Sequence, residues 1–151
     1  MSAESGTVAL WANLSQVQPA GGQTRYFFGH TTIPPWGSRI QLYMDGDDTV
    51  LDLGLGDSHN RMKDIMALET ETWYHIALTW DAGSYAVYVN GQVAAADAYA
   101  GLDSFNSVAD IGNDGRTDET DRIEGFAGLL DEVYIYDRAL TAAQVADLAG
   151  L

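Results

Sequence analysis

The sequence predicts an all-β fold, a two-sheet antiparallel β-sandwich with one short C-terminal helix. Three observations predict it. Short runs of alternating apolar and polar residues recur along the chain, separated by turn residues. The 151 residues include 16 Gly, 8 Tyr and 4 Trp, a composition suited to strands and turns. Only one segment carries the chemistry that starts a helix.

The elements follow in order. Thr7 to Leu14 alternates, with Val8, Leu10, Ala12 and Leu14 on one face. Arg25 to His30 is a second run. Ser38 to Asp45 is a third, with Ile40, Leu42 and Met44 on one face, and Gly46-Asp47-Asp48 turns it into Thr49 to Gly54 as a hairpin. Trp73 to Asp81 is the strongest strand: Tyr74, Ile76, Leu78 and Trp80 share one face and Trp73, His75, Ala77 and Thr79 the other. Asp81-Ala82-Gly83 turns it into Tyr85 to Val89, and Asn90-Gly91, a type I′ pair by residue type, turns that into Gln92 to Ala96. Ser107 to Gly112 is a short strand and Phe126 to Tyr136 a long one. Thr141 and Gln144 form a capping box, and Leu140 and Val145 stand where a hydrophobic staple needs them, so a helix is expected over about Ala142 to Ala149. Gln18 to Thr24, Thr31 to Gly37, Gly56 to Asp64 and Asn113 to Glu124 read as loops. The length suits one domain.

Charge and composition exclude several functions. Seven Lys and Arg against 22 Asp and Glu give a net charge of −15. Such a surface repels phosphate backbones and anionic lipid, which argues against nucleic-acid and membrane-surface partners. No apolar run is long enough to insert in a membrane. Without cysteine there is no disulfide, thiolate metal site or Cys nucleophile. Asp outnumbers Glu 16 to 6, which fits acids held in loops and equally fits a salt-adapted surface. The N-terminus lacks the charged and apolar regions of a signal peptide, so a secreted origin implies a piece of a longer precursor.

Three stretches carry a family likeness. They are Trp73 to Asp81 with Tyr85 to Gly91, then Ile111-Gly112-Asn113, then Phe126 to Thr141. In order and spacing they resemble the laminin-G-like jelly roll of the concanavalin A-like lectin/glucanase superfamily, over roughly Gly6 to Leu148. The likeness starts at the family's second major strand. It therefore implies either that the first strand is missing or that this is a compact variant. A missing strand would leave the sheet edge beside Val133 to Tyr136 open, with a homodimer through that edge as one consequence.

That superfamily includes retaining glycosidases whose acids alternate along one strand as Glu-x-Asp-x-x-Glu. The close acid spacings here are Asp45/Asp47, Glu69/Glu71, Asp118/Glu119/Asp121 and Asp131/Glu132, and none forms that triplet. His30, His59 and His75 accompany no nucleophile elbow and form no zinc pair. The chain is expected to be no enzyme. The likeness instead implies a recognition module of a larger secreted or cell-surface protein, most simply one binding a polysaccharide or other glycan. A laminin-G or pentraxin-type protein–protein adhesion module and a ligand-free spacer are the alternatives.

Calcium takes six to eight oxygens, which Asp and Asn on loops supply. The likeness implies a rim site at Asp47 or Asp48 with Asn106. The residues themselves suggest a second site at Asp114, Asp118 and Asp121. Asp131 shares strand parity with Leu129, Val133 and Ile135, so it is expected to point inward and to need a hydrogen bond or a metal. For sugar stacking, Trp36 is the first candidate, because Pro34 and Pro35 stiffen its loop. Tyr26, Arg39, Tyr43 and Tyr99 follow. Trp11, Trp73 and Trp80 lie inside strands and read as core.

Overall fold

A computed structural model describes residues 1–15, 22–31, 38–46, 48–56, 61–103, 108–115 and 125–151. The strands are β1 (Ser5–Leu14), β2 (Arg25–Thr31), β3 (Arg39–Met44), β4 (Val50–Leu55), β5 (Arg61–Ala67), β6 (Trp73–Asp81), β7 (Ser84–Val89), β8 (Gln92–Ala98), β9 (Asp110–Ile111) and β10 (Gly128–Tyr136), followed by helix α1 (Ala142–Leu148). They form two antiparallel five-stranded sheets. The first has the order β10-β1-β6-β7-β8 and the second β5-β4-β3-β2-β9. The two sheets form a β-sandwich, the architecture that the laminin-G likeness implies.

The inner faces are the ones that alternation predicts. Val8, Leu10, Ala12 and Leu14 meet Ile76, Leu78, Trp80, Val87 and Val89 from the first sheet. Phe28, Ile40, Leu42, Met44, Leu51, Leu53 and Leu55 meet them from the second. Trp80 is fully buried, and its indole N–H donates to the Ser2 carbonyl at 3.1 Å. Gly6 stands opposite it, where any side chain would collide with the indole at 2.2 Å.

Helix α1 packs on the outer face of the first sheet. Alanines make that possible: Ala9, Ala77 and Ala86 give the helix a flat bed, against which Leu140, Val145 and Leu148 pack beside Tyr88 and Tyr136. The capping box of Thr141 and Gln144 forms as expected. Buried Thr7 fastens the segment before the helix, donating to the Arg138 carbonyl and accepting from the Leu140 N–H, both at 2.9 Å.

Two details depart from expectation. Residues 61–64, read as loop, begin the edge strand β5. Its alternation is broken where Asp52 of β4 faces three residues, Lys63 to Ile65, with Asp64 at φ 58°. Met62 and Ile65, three apart, both reach the core as a result. The short strand after Ser107 is only Asp110–Ile111 among the described residues. In the first sheet β1 lies between β10 and β6. β10 is an edge strand whose run is interrupted by a bulge, and such irregularity blunts an edge against pairing with another chain.

Replacing Trp80 with Ala should cost about 3–5 kcal/mol of stability, read from urea denaturation. A loss under about 1 kcal/mol would mean that the indole is not a pillar of this core.

Candidate functional site

The described residues cover only half of the outer face of the first sheet. Cross-strand pairs run along it in the order Thr7↔Thr79, Ala9↔Ala77, Trp11↔His75 and Asn13↔Trp73. The small pairs lie at the end that carries α1. The large pairs lie at the other end, and there Trp11, Trp73, Asp131 and Glu132 line an open groove of about 460 Å³. Trp73 is 42% exposed and Trp11 half-buried.

Each wall has a local cause. Trp11 leans on His75, ring centroids 5.4 Å apart and edge to face. His75 is buried; burial lowers its pKa and so favours the neutral ring, whose two nitrogens find no hydrogen-bond partner among the described residues. Its backbone is clamped by Asn90: the His75 N–H donates to Asn90 Oδ1 at 2.9 Å, and the Asn90 N–H to the His75 carbonyl at 2.7 Å. The turn at Asn90-Gly91, with φ 49° and 72°, thus helps hold a ring that backs the groove.

The acidic wall comes from a β-bulge. Between Ala9↔Tyr134 and Trp11↔Asp131, the single residue Leu10 faces Glu132 and Val133. Glu132 takes φ 46°, and its N–H donates to Asp131 Oδ1 at 2.8 Å. The extra residue breaks the parity on which Asp131 was expected to point inward. Leu130 and Val133 pack against the core instead, and Asp131 and Glu132 are both exposed. The inward placement of Asp131 is therefore corrected. So is the reading of Trp11 and Trp73 as core.

The nominated sugar-binding residues separate. Tyr26, Arg39 and Tyr43 come together on the outer face of the second sheet, the tyrosine rings 5.5 Å apart. Arg39 and Tyr43 are buried there with Gln41 and Asp52, which makes them a packed polar layer, not an open platform. Gln41 donates to the Asp114 carbonyl at 3.3 Å. Gly29 permits that closure, since a side chain there would strike the Asp114 backbone at 2.0 Å. Tyr99 belongs to the core, where it contacts Tyr85 edge-on. Trp36, Asp47, Asn106, Asp118 and Asp121 lie outside the described residues.

Among the described residues no three His, Asp or Glu side chains converge as a cation site would require. Asp48 Oδ1 accepts from the Val50 N–H at 3.0 Å, and Asp114, buried, has its N–H bonded to Asn113 Oδ1 at 2.9 Å. These contacts serve turn geometry.

A family model described as Laminin_G_3, of the concanavalin A-like lectin/glucanases superfamily, matches residues 1–146. The chain belongs to this family. Among solved structures, it is similar to domain 4 of an extracellular family GH43 arabinanase from Geobacillus stearothermophilus, in complex with arabinotriose. The identity is 30% and the TM-score 0.67, over 97% of this chain and 68% of that one. It is also similar to a Bacteroides ovatus protein described as a candidate carbohydrate binding protein, at 24% identity and TM-score 0.72, over 95% of this chain and 40% of that one. A pentraxin from Limulus polyphemus shares the fold at 22% identity and TM-score 0.65, over 97% of this chain and 70% of that one.

Asp52 gives the polar layer a pH signature. Burial raises its pKa to about 6, helped by the Asp48 and Asp64 charges and opposed by the Asp64 N–H, at 2.8 Å, and by Arg61. Lys63 lies 3.6 Å from its other oxygen and pairs with Asp45 as well. Folding thus favours the neutral acid, a contribution present below pH about 4 and lost as pH rises through about 6. Asp52→Asn, neutral at every pH, should gain stability relative to the unsubstituted protein between pH 4 and pH 7, read from denaturant unfolding at both. A difference that does not change with pH would show that Asp52 is not the titrating group.

Proposed function

We propose that this laminin-G-type domain is a non-catalytic carbohydrate-binding module, and that the half-open face of its first sheet is where a glycan sits. The observation that carries the reading is the pairing of two solvent-facing tryptophans with two carboxylates in one groove. A pyranose or furanose ring stacks its C–H face on an indole, while hydroxyls at its rim donate to carboxylate oxygens. The arabinotriose complex of the 30% identical arabinanase domain supports the ligand class. We read the chain as one module of a larger protein that is exported or displayed at the cell surface; the extracellular arabinanase whose domain 4 is 30% identical supports that reading. The chain spans 40% of the length of the Bacteroides protein.

The absence of catalysis has a geometric argument. Glycoside hydrolysis needs two carboxyl groups flanking the scissile bond. Asp131 and Glu132 are neighbours in one bulge of one strand, and the first spends an oxygen on the backbone of the second. They are placed to accept hydroxyl protons from one side.

Trp73→Ala should weaken an arabino-oligosaccharide or another array-selected glycan at least tenfold by calorimetry, about 1.4 kcal/mol. As a surface change it should alter stability by about 0.5 kcal/mol or less. Retained affinity would move the site off this face. A protein that binds no glycan on a broad array would fit the adhesion alternative instead.

Calcium, at a rim site on Asp47 or Asp48 with Asn106 or at a separate loop site on Asp114, Asp118 and Asp121, belongs to the same proposal. An ion held only by the folded state at a hundred times its Kd adds about 2.7 kcal/mol. Melting curves in millimolar calcium should then lie several degrees above those in EDTA, and coincident curves would remove calcium from the proposal.

A further inference from the structure

We propose that Asp131 and Glu132 restrict this groove to uncharged glycans and turn away sugars bearing carboxylate or sulfate groups. The inference rests on the proposed reading of the groove as a glycan site and deepens it. Its warrant is how the bulge builds the acidic wall. A regular β10 would carry 131 and 132 on opposite faces, one of them towards the core. The additional residue opposite Leu10 lets Leu130 and Val133 take the inner positions and puts both carboxylates on the groove with the indoles.

The wall is also pre-set. Asp131 Oδ1 is engaged by the Glu132 N–H at 2.8 Å, which orients the carboxylate and leaves Oδ2 for a ligand. A fixed acceptor loses little freedom when a hydroxyl binds it. An anionic sugar meets the opposite situation. No cationic side chain is among the groove's described lining residues, and the single lysine of the chain, Lys63, is on β5 in the other sheet. The net charge of −15 adds a background of the same sign. A carboxylate brought against two others gives up hydration and gains no partner. A neutral ring keeps the stacking on Trp11 and Trp73 and offers hydroxyl donors to both acids.

The test uses paired neutral and acidic probes of similar length: manno- and galacto-oligosaccharides against their mannuronic and galacturonic counterparts, in which the C6 hydroxymethyl is a carboxylate, and arabino- and xylo-oligosaccharides against the same chains carrying a uronic-acid branch. Binding is measured by calorimetry at low and at 0.5 M salt. The unsubstituted protein should bind at least one neutral probe and should bind its acidic counterpart at least tenfold more weakly, the gap narrowing at high salt. Asp131→Asn with Glu132→Gln should close that gap at least tenfold at low salt, with an unchanged melting curve. Asn retains the acceptor for the Glu132 N–H, so the bulge survives, and Glu132→Gln alone should give part of the effect should the pair perturb folding. Equal binding of neutral and acidic probes by the unsubstituted protein overturns the inference. So does a double variant that keeps the full gap. In both cases Trp73→Ala still reports separately whether the groove is the glycan site. If the unsubstituted protein binds no probe of either kind, the carbohydrate reading and this inference fall together.

Discussion

The rest of the structure hangs on the unbroken register between β1 and β6. Nine consecutive pairs, from Ser5↔Asp81 to Asn13↔Trp73, run without a shift. Because side chains alternate with period two, this single pairing sorts two sets of residues at once. The even positions of both strands fill the core. The odd positions set the outer face, small under the helix and aromatic beyond it. A slip of one residue would put Trp11 into the core and Leu10 into solvent. The groove is therefore not an addition to the fold but the far side of the same pairing that makes the hydrophobic core.

The edges obey a second rule. β5 and β10 are edge strands of the two sheets, and each abandons alternation at a bulge. In each, an acidic residue adopts a left-handed backbone, Asp64 at φ 58° and Glu132 at φ 46°. In each, an Asp carboxylate accepts the N–H of that residue at 2.8 Å, Asp52 across the strand pair and Asp131 from the preceding position. A non-glycine residue in this region carries strain, of order 1 kcal/mol, and a carboxylate on its amide offsets part of it. Some of the Asp excess therefore stabilises irregular backbone, which neither a calcium loop nor a salt-adapted surface describes.

These two rules also decide what could be read from the residues alone. Wherever period two holds, the sequence places side chains correctly: the inner faces of β1, β3, β4 and β6, the Asn90-Gly91 turn and the capping box of α1 are all legible. Wherever a bulge intervenes, parity misleads. Parity with Leu129, Val133 and Ile135 points Asp131 inward, and residues 61–64, the start of β5, read as the end of a loop. No local composition marks these bulges, since the extra residue is set by the partner strand. The groove is hard to read for another reason. Alternation sets Trp73 on the face away from Ile76 and Trp11 on the face away from Leu10, which is the outer face. A tryptophan within a strand is not buried for that reason alone. The useful signal was the change from Ala9 and Ala77 to Trp11, His75 and Trp73 along one face, which marks where the covering helix ends.

Placing the aromatics on strands has a consequence for recognition. A ring that is mobile in the free protein must be ordered when a ligand binds, at a cost of about 0.5–1.5 kcal/mol for each immobilised side chain. Trp11 is instead fixed by the β1–β6 ladder and by the edge of His75, whose backbone the Asn90 turn clamps. The buried imidazole makes no hydrogen bond among the described residues and is favoured in its neutral form by desolvation. It acts as an apolar prop, and the strongest strand of the sequence carries both a groove tryptophan and the prop of the other. A weak ligand such as a sugar, which gains little from each stacking contact, benefits most from a surface that is already assembled. Trp11 and Trp73 on the sheet suit the proposed stacking role, because rigidity in the platform, more than the number of aromatic rings, determines how much of each contact survives as affinity.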